Sequence, residues 1–249
     1  FKPKYHLPIS LKGVEKNDFA MIWGYPGGTN RYMTSWGIRQ TLDETDPAII
    51  HIGDIILALM KEDMDADDDV RIKYASKYAM IANLWKNKIG ESRGLKRLKV
   101  YDKKRKTEEE FEAWVNASPE RKEKYGEVLN DFAEAYGKLD EMNTGSNQWY
   151  FQAPLFASTT MIFPLRNQGL ASMLENKEVP EEVIESFRET AKENFKDYNA
   201  ATEEKLYAAA LQLVYDNVPK ELYPDIFQFI EKKYKNDFKA FAADVFKKS

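Results

Sequence analysis

Asn83 and Asn87 stand four residues apart, so a helix that carries them presents both on one face. Asparagine is a mediocre helix former. Two of them on one face of an otherwise apolar helix need hydrogen-bond partners if that face is buried. An internal bridge between helices meets the need. So does a polar ligand, because an amide oxygen accepts from a substrate ammonium group without adding a buried charge. Residue physics alone favours the internal bridge. Trp85 and Lys86 lie between the pair.

Other constellations carry less. Asp63, Asp65, Asp67, Asp68 and Asp69 crowd one short stretch, but the calcium-loop template fails there. Counted from Asp63, the sixth position needs glycine and holds Asp68, and the twelfth needs glutamate and holds Tyr74. Acidic residues at a helix N-terminus, favoured by its dipole, explain the cluster better. His51 reads as a core or interface histidine within an apolar helix, and His6 lies in the extended N-terminal stretch. Two distant histidines without a cysteine make a poor zinc site, so no metal and no cofactor are expected. No serine sits in a Gly-x-Ser-x-Gly turn, and spacing singles out no Ser-His-Asp triad. No catalytic residue is therefore assigned. Gly24-Tyr25-Pro26-Gly27-Gly28-Thr29 lacks the Gly-Lys-Ser/Thr of a phosphate-binding loop and reads as a tight turn.

The elements that must position these residues are mostly helical. Residues 1–30 look extended, with Phe19-Ala20-Met21-Ile22-Trp23 as an apolar run like a strand covered on both faces. Two strands cannot stand alone. From about Thr34 the period becomes 3.6. Asp46 as N-cap and Pro47 at the first position open an apolar helix to Met60. A second helix runs from Asp69 to Ile89 and ends at Gly90, and a third runs from Gly94 to about Asn116. Ser118-Pro119-Glu120 caps a fourth, to Met142, before a loop at Asn143–Asn147. Trp149 to Leu174 is helical with interruptions at Pro154 and Pro164, and the tail holds helices near 180–196, 200–217, 219–232 and 235–247. The charged section from Gly94 to Asn143 reads as an antiparallel helical hairpin projecting into solvent. The fold class is mainly α: a multi-helix domain with a short β segment at the N-terminus.

The chain has 249 residues, 43% of them hydrophobic, enough for one substantial core or two small ones. A formal charge of -4 gives no global argument for nucleic acid or an anionic membrane. No apolar run approaches the ~20 residues of a membrane span. The absence of cysteine removes disulfides and thiolate catalysis, and fits a periplasmic and a cytosolic protein equally. The first residue is Phe1 rather than Met, as in a processed or excised chain, and no signal peptide is visible.

A set of motifs occurs together and in order: Leu7-Pro-Ile-Ser-Leu-Lys-Gly-Val14, Asp18-Phe19, Gly24-Tyr-Pro-Gly27, Thr29-Asn-Arg-Tyr32, Val70-Arg-Ile-Lys-Tyr-Ala-Ser-Lys-Tyr78, Ala82-Asn-Leu-Trp-Lys-Asn87 and Gly94-Leu-Lys-Arg-Leu98. In these the chain resembles the middle of the bacterial dipeptidyl-peptidase 7/11 family, over roughly the first 100 residues; the rest matches in helical character and length. The resemblance implies periplasmic or cell-surface serine exopeptidases with a chymotrypsin-like double barrel and an inserted helical domain. It makes residues 1–33 the end of a β-barrel segment, its strands detached from their sheet, and 34–249 an inserted lid. The triad would lie outside this chain, leaving it inactive alone. The lid would limit access to the active site and help bind the substrate's α-amine, a contact placed at Asn83 first, Asn87 second, with Trp85 beside them. The implied partners are a peptide N-terminus and the barrel portions of the same polypeptide. Dimers occur in that family, through surfaces this sequence does not locate. Relatives commonly carry Arg where Gly28 stands, so the turn should be looser here. The alternative is a non-catalytic helical module that binds a protein or peptide, served by the basic run from Lys96 to Lys106.

Overall fold

Ile49, Ile52, Ile56, Leu57 and Met60 recur at the spacing of one helical face, and in the computed structural model all five are buried. The structure describes residues 2–21, 23–24, 28–142, 144–169, 173 and 179–247. Those five residues belong to helix α2 (Asp46–Ala66), which Asp67 alone joins to α3 (Asp68–Arg97). The Asp67 carboxylate accepts from the backbone N–H of Asp69 at 2.8 Å and of Val70 at 3.4 Å, which caps α3. Asp67, Asp68 and Asp69 are thus a helix start, while Asp63 and Asp65 fall in the last turn of α2. Among the described residues no group of three or more His, Cys, Asp or Glu could hold a metal ion. With one residue between them, α2 and α3 fold back antiparallel, Asp46 meeting Lys88 and Gly53 meeting Trp85.

Two further helices close the core. Ala153, Phe156 and Ala157 come from α7 (Thr144–Ala157), and Leu206, Leu211 and Val214 from α10 (Ala200–Asn217). They pack with the α2 stripe and with Val70 and Ile81 of α3. Ile52, Ile56, Met60 and Leu206 are fully enclosed. Each such side chain contributes roughly 1.5–3 kcal/mol by leaving water. The C-terminal helices α11 (Asp225–Tyr234) and α12 (Phe238–Phe246) join through rings: Tyr215 lies 5.7 Å from Phe227 and 5.2 Å from Phe238.

Several boundaries differ from the sequence expectation, each for a local reason. Helix α1 (Ser35–Gln40) runs through a π-helical turn (Thr41–Thr45) straight into α2, so Asp46 is an interior residue and not a cap. It is fully buried, with Lys88 Nζ 3.1 Å from one oxygen and Ser92 Oγ donating to the other at 2.8 Å. Gly90 does not end α3, because a helical glycine costs only about 1 kcal/mol; Lys99 turns the chain instead, with φ 50°. The fourth expected helix divides at Gly126 into α5 (Pro119–Tyr125) and α6 (Val128–Glu141). The loop placed at Asn143–Asn147 is already α7 from Thr144 onward, and Asn143 lies outside the described residues. Pro154 and Pro164 sit inside α7 and α8 (Thr159–Arg166); the break falls at Ser158 between them. Residues 170–172 and Leu174 of the stretch read to Leu174 lie outside the described residues. In the tail, α9 (Glu181–Phe195) and α10 match, while the last two helices start later than expected, at Asp225 and Phe238.

The section from Gly94 to Asn143 is not a free arm. Glu108 of α4 (Val100–Asn116) accepts from the Ser35 N–H at 2.7 Å and the Ser35 hydroxyl at 2.6 Å, seating the start of α1 on α4. Trp36 stacks on Phe132 of α6 at 6.4 Å.

The chain divides into two compact units, Phe1–Tyr32 and Met33–Ser249. Among the described residues of the first there is neither helix nor strand. Glu15 and Asp18 close a turn, the Asp18 carboxylate accepting from the Glu15 N–H at 2.8 Å. Phe19 and Trp23, expected to be strand residues covered on both faces, stand 91% and 96% exposed. Ile22 of that run, and Tyr25, Pro26 and Gly27 of the expected tight turn, lie outside the described residues. A strand requires a neighbour to satisfy its backbone, and none forms here among the described residues.

Candidate functional site

Helix α3 has two unlike faces. At 3.6 residues per turn, Tyr74, Ile81, Trp85, Lys88 and Ser92 share one side, and every one of them contacts the rest of the helical unit. The opposite side carries Ile72, Ser76, Met80, Asn83, Asn87 and Gly90, all exposed. This outward stripe is uncharged over about 27 Å except for Lys73 and Lys86 at its two edges.

Asn83 and Asn87 therefore share an open face, as their spacing implied, but neither bridges helices: both are exposed. Trp85 does not join them. Its indole N–H donates to Asp54 Oδ1 at 2.8 Å, on the far side of the helix. A Cβ on Gly53 would fall 2.5 Å from Trp85 Cδ1, so the ring lies directly on the α2 backbone.

Polar anchors hold the inward face at both ends. Glu203 of α10, 1% exposed, accepts from Tyr74 at 3.1 Å and Lys77 at 3.0 Å. The same carboxylate accepts from Ser158 Oγ at 3.0 Å and the Thr159 N–H at 2.9 Å, at the start of α8. Burial, and then the charge of Glu203, push the Tyr74 phenol well above its ordinary range. At the other end, burial pulls the Lys88 ammonium down, and its hydrogen bonds to Glu91 and Asp46 raise it by more, leaving it above its ordinary value. A mid-helix glycine was the sequence signal for Gly53; Glu203 looks like an ordinary helix residue in sequence and gave none, and Asp46 gave only the pattern of a cap.

The remaining candidates do not assemble. His6 stacks on Tyr5 in the first unit, and His51 is exposed rather than in the core, edge-on to Trp149 at 5.9 Å. Among the described residues no histidine is hydrogen-bonded to a serine or an aspartate; both stand against aromatic rings. An open groove of about 780 Å³ runs between α2, α10 and the start of α12. Ile55, Leu59, Ala208 and Ala209 give it an apolar floor, and no residue of α3 lines it. No helix among the described residues is long and apolar enough to cross a membrane.

Residues 1–249 match Peptidase S46 from end to end. The chain belongs to the Peptidase S46 family. The similarity thus extends well past the motifs of the first hundred residues. The chain is 36% identical over its full length to dipeptidyl-peptidase 7 of Porphyromonas endodontalis, covering 30% of that protein. It is 32% identical over 99% of its length to the Asp/Glu-specific dipeptidyl-peptidase of Flavobacterium psychrophilum, covering 34% of it. This S46 chain spans about a third of the length of the curated relatives it matches. In fold it resembles the crystal structure of Porphyromonas endodontalis DPP11 in complex with the dipeptide Arg-Glu, with a TM-score of 0.72 at 22% identity, over 91% of this chain and 32% of that one.

Proposed function

We propose that this chain is the helical cap of an S46 dipeptidyl-peptidase, a periplasmic or cell-surface serine exopeptidase that releases N-terminal dipeptides. Residues 1–33 are then the end of a β-barrel segment whose remainder lies elsewhere in the same polypeptide, and 34–249 are the lid inserted into it. Cleavage of the bond after the second residue belongs to groups outside this chain. The lid's part is to bind and to exclude. Carboxamide oxygens of Asn83 and Asn87 accept from the peptide's α-ammonium group, and the helices behind them leave room for two residues. Specificity for a free N-terminus follows, because a blocked peptide would leave those acceptors facing nothing.

The observation that carries this reading is the outward stripe of α3. Two amide side chains stand on an open, uncharged helix face, in a chain whose relatives are about three times as long. The test is Asn83→Ala in a full-length peptidase containing this chain. Loss of a hydrogen bond to a charged group is worth about 1.5–3 kcal/mol, so KM for a dipeptidyl reporter should rise roughly tenfold to hundredfold. An unchanged KM removes Asn83 from the site.

The groove beside α10 favours a second reading, a helical module that binds a peptide or protein without catalysis. It predicts binding of peptides to the isolated chain that Asn83→Ala leaves intact.

A further inference from the structure

We propose that Gly53, Asp54 and Trp85 form a positioning lock that sets the rotation of α3 about its axis, and with it the direction in which Asn83 and Asn87 point. The inference rests on the cap reading and assigns Trp85 a different part in it: Trp85 acts on the amine contact through the helix and does not touch the substrate.

Geometry separates the two parts. Two residues along a helix advance about 200°, so Trp85 points almost directly away from Asn83 and from Asn87. Its indole N–H is already taken by Asp54 at 2.8 Å. The other polar anchors of α3 lie outside the pair: Tyr74 and Lys77 reach Glu203 before the asparagines, and Lys88, next to Asn87, and Ser92 reach Asp46 after them. Of these polar anchors Trp85 is the one between Asn83 and Asn87, with Leu84 packed against the core beside it.

The lock constrains the ring twice. The indole lies against the bare backbone of Gly53, where an added Cβ would come within 2.5 Å of Cδ1, 3.0 Å of Cγ and 3.1 Å of Cβ of Trp85. The hydrogen bond to Asp54 holds the ring's edge, so the ring can neither slide along α2 nor turn in its own plane. Gly53 stands in the middle of a 21-residue helix, where alanine would be the better helix former. Its local cost is offset by the close approach of α3.

The magnitude makes this matter. A side-chain tip lies about 6 Å from the helix axis, so a roll of ~20° carries an asparagine amide about 2 Å sideways. Hydrogen bonds to an ammonium group tolerate only a few tenths of an ångström before they weaken. A small loss of packing at Gly53 therefore reaches the amine contact while leaving groups outside this chain in place.

The test uses the full-length peptidase containing this chain, with Gly53→Ala, Asp54→Ala, Asp54→Asn and Trp85→Phe compared with Asn83→Ala. Gly53→Ala and Asp54→Ala should raise KM for a dipeptidyl reporter roughly tenfold, with kcat changed by less than about twofold. Asp54→Asn keeps an oxygen that accepts from the indole and should restore the wild-type KM. Trp85→Phe keeps the packing on Gly53 without the N–H and should match Asp54→Ala, which covers the case in which Gly53→Ala does not fold. Wild-type KM in Asp54→Ala and Trp85→Phe, beside a raised KM in Asn83→Ala, overturns the lock and leaves the cap reading standing. A wild-type KM in Asn83→Ala overturns the cap reading, and the lock with it.

Discussion

Lys77 Nζ lies 3.0 Å from Oε1 of Glu203, an ion pair between α3 and α10 in which the carboxylate is 1% exposed and the lysine side chain 22%. Glu203 also receives Tyr74, Ser158 and the Thr159 N–H, so one carboxylate ties three helices. Removing it strands several donors at once. Glu203→Ala should destabilise the chain by about 3–5 kcal/mol, the usual cost of breaking a buried pair from one side. Lys77→Met, which removes the half-open partner, should cost less than half of that. Urea midpoints of the two variants check the order, and equal midpoints would show that the buried network is not shared.

The same contacts set a response to alkali. Lys88 stands above its ordinary value of 10.5 and Tyr74 above its ordinary value of 10.0. Both groups hold their protons more tightly folded than unfolded. Their contribution is complete below the unfolded values and is lost as pH rises through the folded ones. Helicity should therefore be flat through neutral pH and fall once pH passes roughly 10–11. Circular dichroism, followed together with tyrosine absorbance, reads this directly. Tyr74 ionising well before the helix signal falls would contradict it.

Gly90 lies on the exposed stripe of α3, and a Cβ there would meet nothing within 4 Å. Gly90→Ala should stabilise the isolated chain by about 0.5–1 kcal/mol through helix propensity alone. If the stripe faces the barrel in the parent polypeptide, the same variant gains no such stability there. A thermal melt of each form gives the comparison.

The isolated chain should not hydrolyse a dipeptidyl reporter, since its histidines, His6 and His51, pair with aromatic rings rather than with a serine. Turnover by the chain alone, surviving purification and abolished by His51→Ala, would be inconsistent with a lid.

The core was readable to different depths. The α2 stripe from Ile49 to Met60 follows local rules of spacing, whereas the caps at Asp67 and Asn199 emerged with the structure. Asp46 misled those rules. Before Pro47 it has the pattern of a cap, but the π-helical turn carries α1 into α2, and Lys88 and Ser92 receive the carboxylate instead. Pro154 and Pro164 misled them as well, because the chain breaks where Glu203 offers an acceptor to Thr159 and not at the prolines.

For the candidate site the sequence by itself determined that Asn83 and Asn87 lie on one helix face, because the helical repeat is a property of neighbours along the chain. Which way that face points was decided only in three dimensions. It depends on Asp54 and Glu203, 31 residues from Trp85 and 129 from Tyr74. Periodicity is local, but the roll of a helix is fixed by what it packs against, and those partners become neighbours only when the chain has folded.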